Sequence, residues 1–114
     1  MRAIEKTIKA ALAYGSTCQL SIRDRVESNA TTKKYYLWDS NIFSIHNDLN
    51  EVYFSFCGYQ TNTTKGRINA LLPFGSVTQK NWGLILTVDN EMYNIESTDK
   101  VHIDLNTHKV VIVK

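Results

Sequence analysis

Apolar residues recur along this chain with two different periods, and the switches between them divide it into helices and strands. Ile4, Ile8 and Leu12 stand four apart with Ala10, Ala11 and Ala13 around them, and Gly15 follows. Ala3 to Tyr14 therefore reads as an amphipathic helix stopped by a glycine, with Arg2, Glu5, Lys6 and Lys9 on its polar face. The run Cys18-Gln-Leu-Ser-Ile22 then alternates with period two, as a half-buried strand does, and gives out at the charged Arg23-Asp24-Arg25. Glu27 to Lys34 is polar and turn-rich and reads as an exposed loop. Tyr35 to Trp38 and Ile42 to Ile45 are β-rich runs around the turn cluster Asp39-Ser-Asn41, the pattern of a tight hairpin. A second turn over His46 to Asn50 leads to a third strand, Val52 to Cys57, ended by Gly58.

The helical period returns at Ile68, Leu71 and Leu72, with N-cap candidates from Thr61 to Thr64 and a stop at Pro73. Beyond Phe74-Gly75 the chain reads as four strands, Trp82 to Val88, Met92 to Ile95, Val101 to Leu105 and Val110 to Val113, which form an antiparallel meander. The order αββββαββββ, with short links between strands, predicts one α+β domain over residues 1–114. Two short helices would pack on a mostly antiparallel twisted sheet or small open barrel.

A chain of 114 residues that is 43% hydrophobic can bury an apolar core without metal or disulfide staples, and is too short for a multidomain enzyme. Its net charge of +2 is too balanced for affinity resting on many duplex phosphates, and it has the wrong sign for an acidic DNA mimic. The charge is uneven, however. Residues 1–34 and 65–80 are basic, whereas 35–64 and 81–114 are acidic, so two basic segments flank an acidic, aromatic one. Charged residues interrupt the N-terminal apolar positions, unlike a signal peptide, and no run approaches the roughly 18 apolar residues of a membrane span. Cys18 and Cys57 lie in strand-like runs without paired-cysteine spacing, so buried free thiols are expected rather than zinc. Asn29-Ala-Thr31 and Asn62-Thr-Thr64 match glycosylation acceptors, triplets that arise by chance in a Thr/Asn-rich chain. The expected compartment is a reducing cytosol, without cofactor, metal or membrane.

Histidines are the natural place to look for acid–base or metal chemistry. In Val101-His-Ile-Asp-Leu105, alternation puts His102 and Asp104 on one face and Val101, Ile103 and Leu105 in the core, with His108 just past the next turn. A solvent-facing strand shows the same pattern. No Ser-His-Asp, Cys-His, phosphate-loop or dinucleotide signature occurs, and the glycines are scattered, so no reaction is expected.

The segment Gly58-Tyr-Gln-Thr-Asn-Thr-Thr-Lys-Gly-Arg-Ile-Asn-Ala-Leu-Leu72 is the more informative one. Thr61, Thr63 and Thr64 crowd a helix start whose free N–H groups favour an anion, and Lys65 and Arg67 add positive charge. Alternatively the threonines cap the helix, while Arg67 and Asn69 hydrogen-bond to neighbouring loops. This run resembles an element of short uncharacterised accessory proteins encoded by bacteriophages and plasmids. The resemblance implies a setting inside a bacterial host and no reaction. Many such proteins act by binding, anti-CRISPR inhibitors of host defence among them, although many inhibitors are acidic and this chain is not.

Aromatic residues are dense in the hairpin and the strand after it. Tyr36 and Trp38 are expected on one face and Tyr35 and Leu37 on the other, flanked by Lys33 and Lys34. Two functions are consistent with these features. In the first, a non-enzymatic phage or mobile-element protein binds and modulates a host protein through Lys33, Lys34, Tyr36, Trp38, Tyr59, Thr61, Thr63, Lys65 and Arg67. In the second, the same lysines and Arg67 contact phosphates of single-stranded nucleic acid or RNA while Tyr36 and Trp38 stack on bases. The chain is expected to be a monomer, or a homodimer through an edge strand such as Val110 to Val113.

Overall fold

In the computed structural model, which describes residues 1–114, helix α1 spans Ala3–Tyr14 and turns its Ile8 and Leu12 stripe inward. Gly15 ends it in the left-handed region (φ 72°), where Ser16 N–H reaches back to the carbonyl of Ala11. Ten strands follow: β1 (Cys18–Gln19), β2 (Asp24–Ser28), β3 (Thr32–Leu37), β4 (Ser40–His46), β5 (Glu51–Phe54), β6 (Ser76–Lys80), β7 (Gly83–Val88), β8 (Glu91–Ile95), β9 (Lys100–Asp104) and β10 (Val110–Val113). Helix α2 (Asn62–Leu71) stands between β5 and β6. The sheets are antiparallel: a seven-stranded one ordered β1-β2-β3-β4-β5-β9-β10 and a three-stranded one ordered β6-β7-β8, with no closed barrel. A continuous cluster of 20 buried apolar residues draws on both helices and both sheets, which makes this one α+β fold. No helix is long and apolar enough to cross a membrane.

Several expectations need correction. The strand over Cys18 to Ile22 shrinks to β1, and β2 begins at Asp24, inside the charged run expected to end it. The expected loop over Glu27 to Lys34 is mostly hairpin. Only residues 29–31 turn, held by Asn29 Oδ1, which accepts from the N–H groups of Thr31 and Thr32. Strand β6 has no signal in the sequence pattern, because only Val77 in it is buried. The C-terminal strands do not make one meander. β7 pairs with β8 on one side and β6 on the other, whereas β9 inserts between β5 and β10 in the large sheet. The cysteines are free but not buried: Cys18 is exposed and Cys57 half-buried.

Three connections shape the surface around α2. The β3–β4 hairpin closes through Trp38 and Asp39, both at positive φ (52° and 70°), as a two-residue turn matched to strand twist requires. The β6–β7 hairpin closes the same way through Asn81 and Trp82 (50° and 68°). Asn69 of α2 acts as a surrogate strand, its amide donating to the carbonyl of Val77 (2.9 Å) and accepting from the Val77 N–H (2.7 Å), so β6 is pinned to the helix.

Candidate functional site: an aromatic cleft at the start of helix α2

Helix α2 is placed by a buried polar cluster. Arg67 has no exposed surface; its Nε donates to Asp24 Oδ1 (3.1 Å) and Tyr35 Oη (3.2 Å), and its Nη1 to Glu5 Oε2 (3.1 Å). Tyr35 in turn donates to Asp24, as does Ser21. Burial by itself would raise the Asp24 carboxyl, but the hydrogen bonds from Ser21, Tyr35 and Arg67 outweigh it and hold the group below its ordinary value. Burial first, and then the Asp24 bond, push the Tyr35 hydroxyl up, so it stays a donor. Glu5 also accepts from the Arg2 N–H at the start of α1, and Gly66 keeps the two helices close. A Cβ there would lie 3.1 Å from Glu5 Oε2. One cluster thereby ties α1, β2, β3 and α2 together.

Outside that cluster, the helix entrance opens into a cleft of about 400 Å³. Leu37 and Ile42 line it with apolar surface, Trp38 and Tyr59 with aromatic surface, and Arg23 and the threonines Thr61, Thr63 and Thr64 with polar groups. Thr61 is the N-cap: its hydroxyl accepts from the Thr64 N–H at 3.1 Å. The cleft lining holds one cation and no carboxylate. Trp38 (62% exposed) and Tyr59 (60%) are large side chains of its lining left in solvent, and Ile22 (86%) and Trp82 (88%) are exposed on connections next to it in the hydrogen-bond pattern. The backbone sets their places. Trp38 N–H donates to the Arg23 carbonyl (2.9 Å), which ties the hairpin turn to the Ile22 bend, and Gln60 Nε2 donates to the Trp82 carbonyl (2.8 Å), which ties the second turn to the Tyr59 loop.

The model of the Kyanoviridae Gp96 protein family matches residues 1–107. The chain belongs to that family. These are phage proteins, in keeping with the phage setting expected from the sequence. Comparison with curated proteins and with solved structures returned no match.

In this Gp96-family chain the structure gathers four of the expected residues, Trp38, Tyr59, Thr61 and Thr63, into one cleft. The others lie elsewhere. Arg67 is a correction: it has no exposed surface and its guanidinium is taken up by Asp24, Tyr35 and Glu5, so it is closed to an external partner or anion. It and Asn69 are hydrogen-bonding residues, as in the alternative reading, but their partners lie on strands and a helix rather than on loops. Tyr36 and Trp38 do not share a sheet face, because the turn at Trp38 takes it out of the strand. Tyr36 lies on the outer face of the large sheet, under the Arg25 guanidinium at 4.1 Å from its ring centre. Lys34 is on that outer face, whereas Lys33 is on the opposite one with its ammonium 3.5 Å from the Ala13 carbonyl. Lys65 is half-buried on α2 and outside the cleft lining.

Arg23, Ile22 and Trp82 are the residues of this region that the sequence does not single out. Alternation assigns Ile22 to the core, and Trp82 reads as a strand start. The nearest signal is the Asn81-Trp-Gly83 triplet, which has the turn-forming ends of a hairpin loop.

The histidine face behaves differently from its expected pairing. Val101 and Ile103 are buried and His102 and Asp104 face outward, as alternation predicts. Yet His102 Nδ1 lies 3.0 Å from Glu51 Oε1, while Asp104 Oδ1 accepts from the N–H groups of Asn106 and Thr107 (2.8 Å each) and closes a turn. Those turn bonds hold the Asp104 carboxyl below its ordinary value. His108 stacks on Phe74 at 3.7 Å and points Nδ1 to Asp89 Oδ2 (2.9 Å). No group of three His, Cys, Asp or Glu side chains converges to hold a metal.

Proposed function

We propose that this phage protein is a small binding protein without a reaction of its own, which acts in the cytosol of the bacterial host by engaging and modulating a host protein through the Trp38–Tyr59 cleft. One observation carries the reading: Trp38 and Tyr59, both strongly exposed, line one cleft, and the exposed Ile22 and Trp82 sit on connections hydrogen-bonded to the segments that carry them. Exposed apolar side chains gathered in one place mark interaction surfaces, and tryptophan, tyrosine and arginine are the residues that dominate binding energy there. Two of the four sit on two-residue turns with defined backbone, so little conformational freedom is lost on docking. The cleft, lined half by apolar and aromatic side chains and half by Arg23 and three threonines, has room for a side chain inserted from a partner. The nucleic-acid reading loses Arg67, and its two strand lysines, Lys33 and Lys34, face opposite ways.

The test is capture from nuclease-treated host lysate with the tagged chain and with a Trp38→Ala, Tyr59→Ala variant of equal thermal stability. The reading expects one stoichiometric protein held by the unaltered chain and lost by the variant. The same proteins on both baits, or, in a parallel capture from untreated lysate, an eluate dominated by nucleic acid, would overturn it. The identity of a captured protein then decides whether a defence system is the target.

A further inference from the structure

The large sheet ends in two edges of very different character. Strand β1 is only Cys18–Gln19, too short to template another strand, whereas β10 pairs with β9 along all of Val110–Val113 without a bulge. The bond from Asp104 N–H to the Lys109 carbonyl (3.0 Å) sets the phase of that ladder. Antiparallel pairs bond at alternate positions. Val111 and Val113 therefore bond to His102 and Lys100, and Val110 and Ile112 aim their N–H and carbonyl groups away from β9. No turn, loop or cap hydrogen bond reaches any residue from Val110 to Val113. The side chains match this open backbone: Val111 is 47% and Val113 45% exposed on the outer face. Natural edges are blunted by charges, prolines, bulges or brevity, and β10 has none of these within it.

We propose that β10 is an interface between two copies of this chain, joined antiparallel about a twofold axis at Ile112 so that the two large sheets become one. Ile112 then exchanges main-chain bonds with Ile112 of the second copy, and Val110 with its residue 114. Between them Val111 faces Val113 of the second copy, and Val113 faces Val111, at positions where antiparallel side chains approach closest. A twofold register of this kind is self-complementary, which is what a second copy of the same strand supplies and an arbitrary strand does not. Charge agrees with this pairing. The lysines flanking the strand are Lys109 and Lys114, and in this register neither meets the other, with Lys114 already paired to Asp99 at 3.2 Å.

The test is the mass of the chain by light scattering over a concentration series, beside a Val111→Lys, Val113→Lys variant and the Trp38→Ala, Tyr59→Ala variant. Both lysine substitutions lie on the exposed face and should leave the far-UV circular dichroism unchanged, while the melting temperature falls only by what dimerisation contributes. The proposal expects twice 13.0 kDa for the unaltered chain and the cleft variant, and 13.0 kDa for the lysine variant. A single-chain mass for the unaltered protein at every concentration overturns it. So does a dimer that survives the lysines, and one abolished only by the cleft variant would place the contact at the aromatic rim.

Discussion

Helix α2 presents two kinds of polar chemistry within its first two turns, and they have opposite fates. On its inner side Arg67 is buried and joins Asp24, Tyr35 and Glu5 in a closed cluster. At its outer end Thr61 and Thr63 open into the cleft beside Arg23, Trp38 and Tyr59. The first region holds the fold and the second faces solvent. The difference teaches that positive charge near a helix start does not by itself identify a binding residue. What decides is whether carboxylates from other elements have already closed around it, as they have around Arg67 and not around the cleft.

Breaking the inner region should have the largest effect. Arg67→Met leaves Asp24 and Glu5 buried without their cation and should lower unfolding free energy by about 3–5 kcal/mol in urea titration. A loss under about 1 kcal/mol would mean that the cluster does not hold the helix in place. The outer region should respond in binding rather than in stability. Trp38→Ala should weaken capture of the partner by about 2 kcal/mol, roughly thirtyfold, while shifting unfolding free energy by no more than about 0.5 kcal/mol, because the side chain lies in solvent.

Acid should distinguish the regions as well. The Asp24 carboxyl is held below its ordinary value of 3.8, so its contribution to stability is complete above that pH and is lost as pH falls through the depressed folded value. Acid denaturation of the unaltered chain should therefore carry a limb below about pH 4 that Asp24→Asn removes, and an unchanged acid limb in that variant would contradict the assignment. The smallest effect sharpens the boundary between the regions. Thr61→Ala removes the N-cap bond to Thr64 and should cost about 1 kcal/mol, since Thr61 belongs to the helix as well as to the cleft.

The elements with local signals were legible. Helix α1 appears over the range its four-residue spacing indicates, and α2 is capped by Thr61 and ends before Pro73, because caps and proline act within a few residues. Misreadings fell where distant groups override local pattern. Asp24 belongs to a strand because Arg67, 43 residues later, satisfies its charge, and no window around Asp24 contains that information. Ile22 breaks alternation because β1 ends early, and β9 leaves its sequence neighbours to pair with β5. The same holds for the site. The sequence pointed to Trp38, Tyr59, Thr61 and Thr63, residues that a turn, a strand exit and a cap make conspicuous. Arg23 and Trp82 join them only through backbone bonds between separate hairpins.

By itself, then, the sequence determined the α+β class, the two helices, most of the strands, the density of aromatics in the first hairpin and the strand after it, and the crowding of threonines at the start of α2, because periodicity, caps and turns are short-range properties of a chain. Only the tertiary structure decided that the strands form two sheets, that Arg67 faces inward and Arg23 outward, and that Trp38 and Tyr59 line one cleft. Those outcomes depend on which charges and surfaces meet across long stretches of chain, where burial makes an unpaired ion costly and a paired one tolerable.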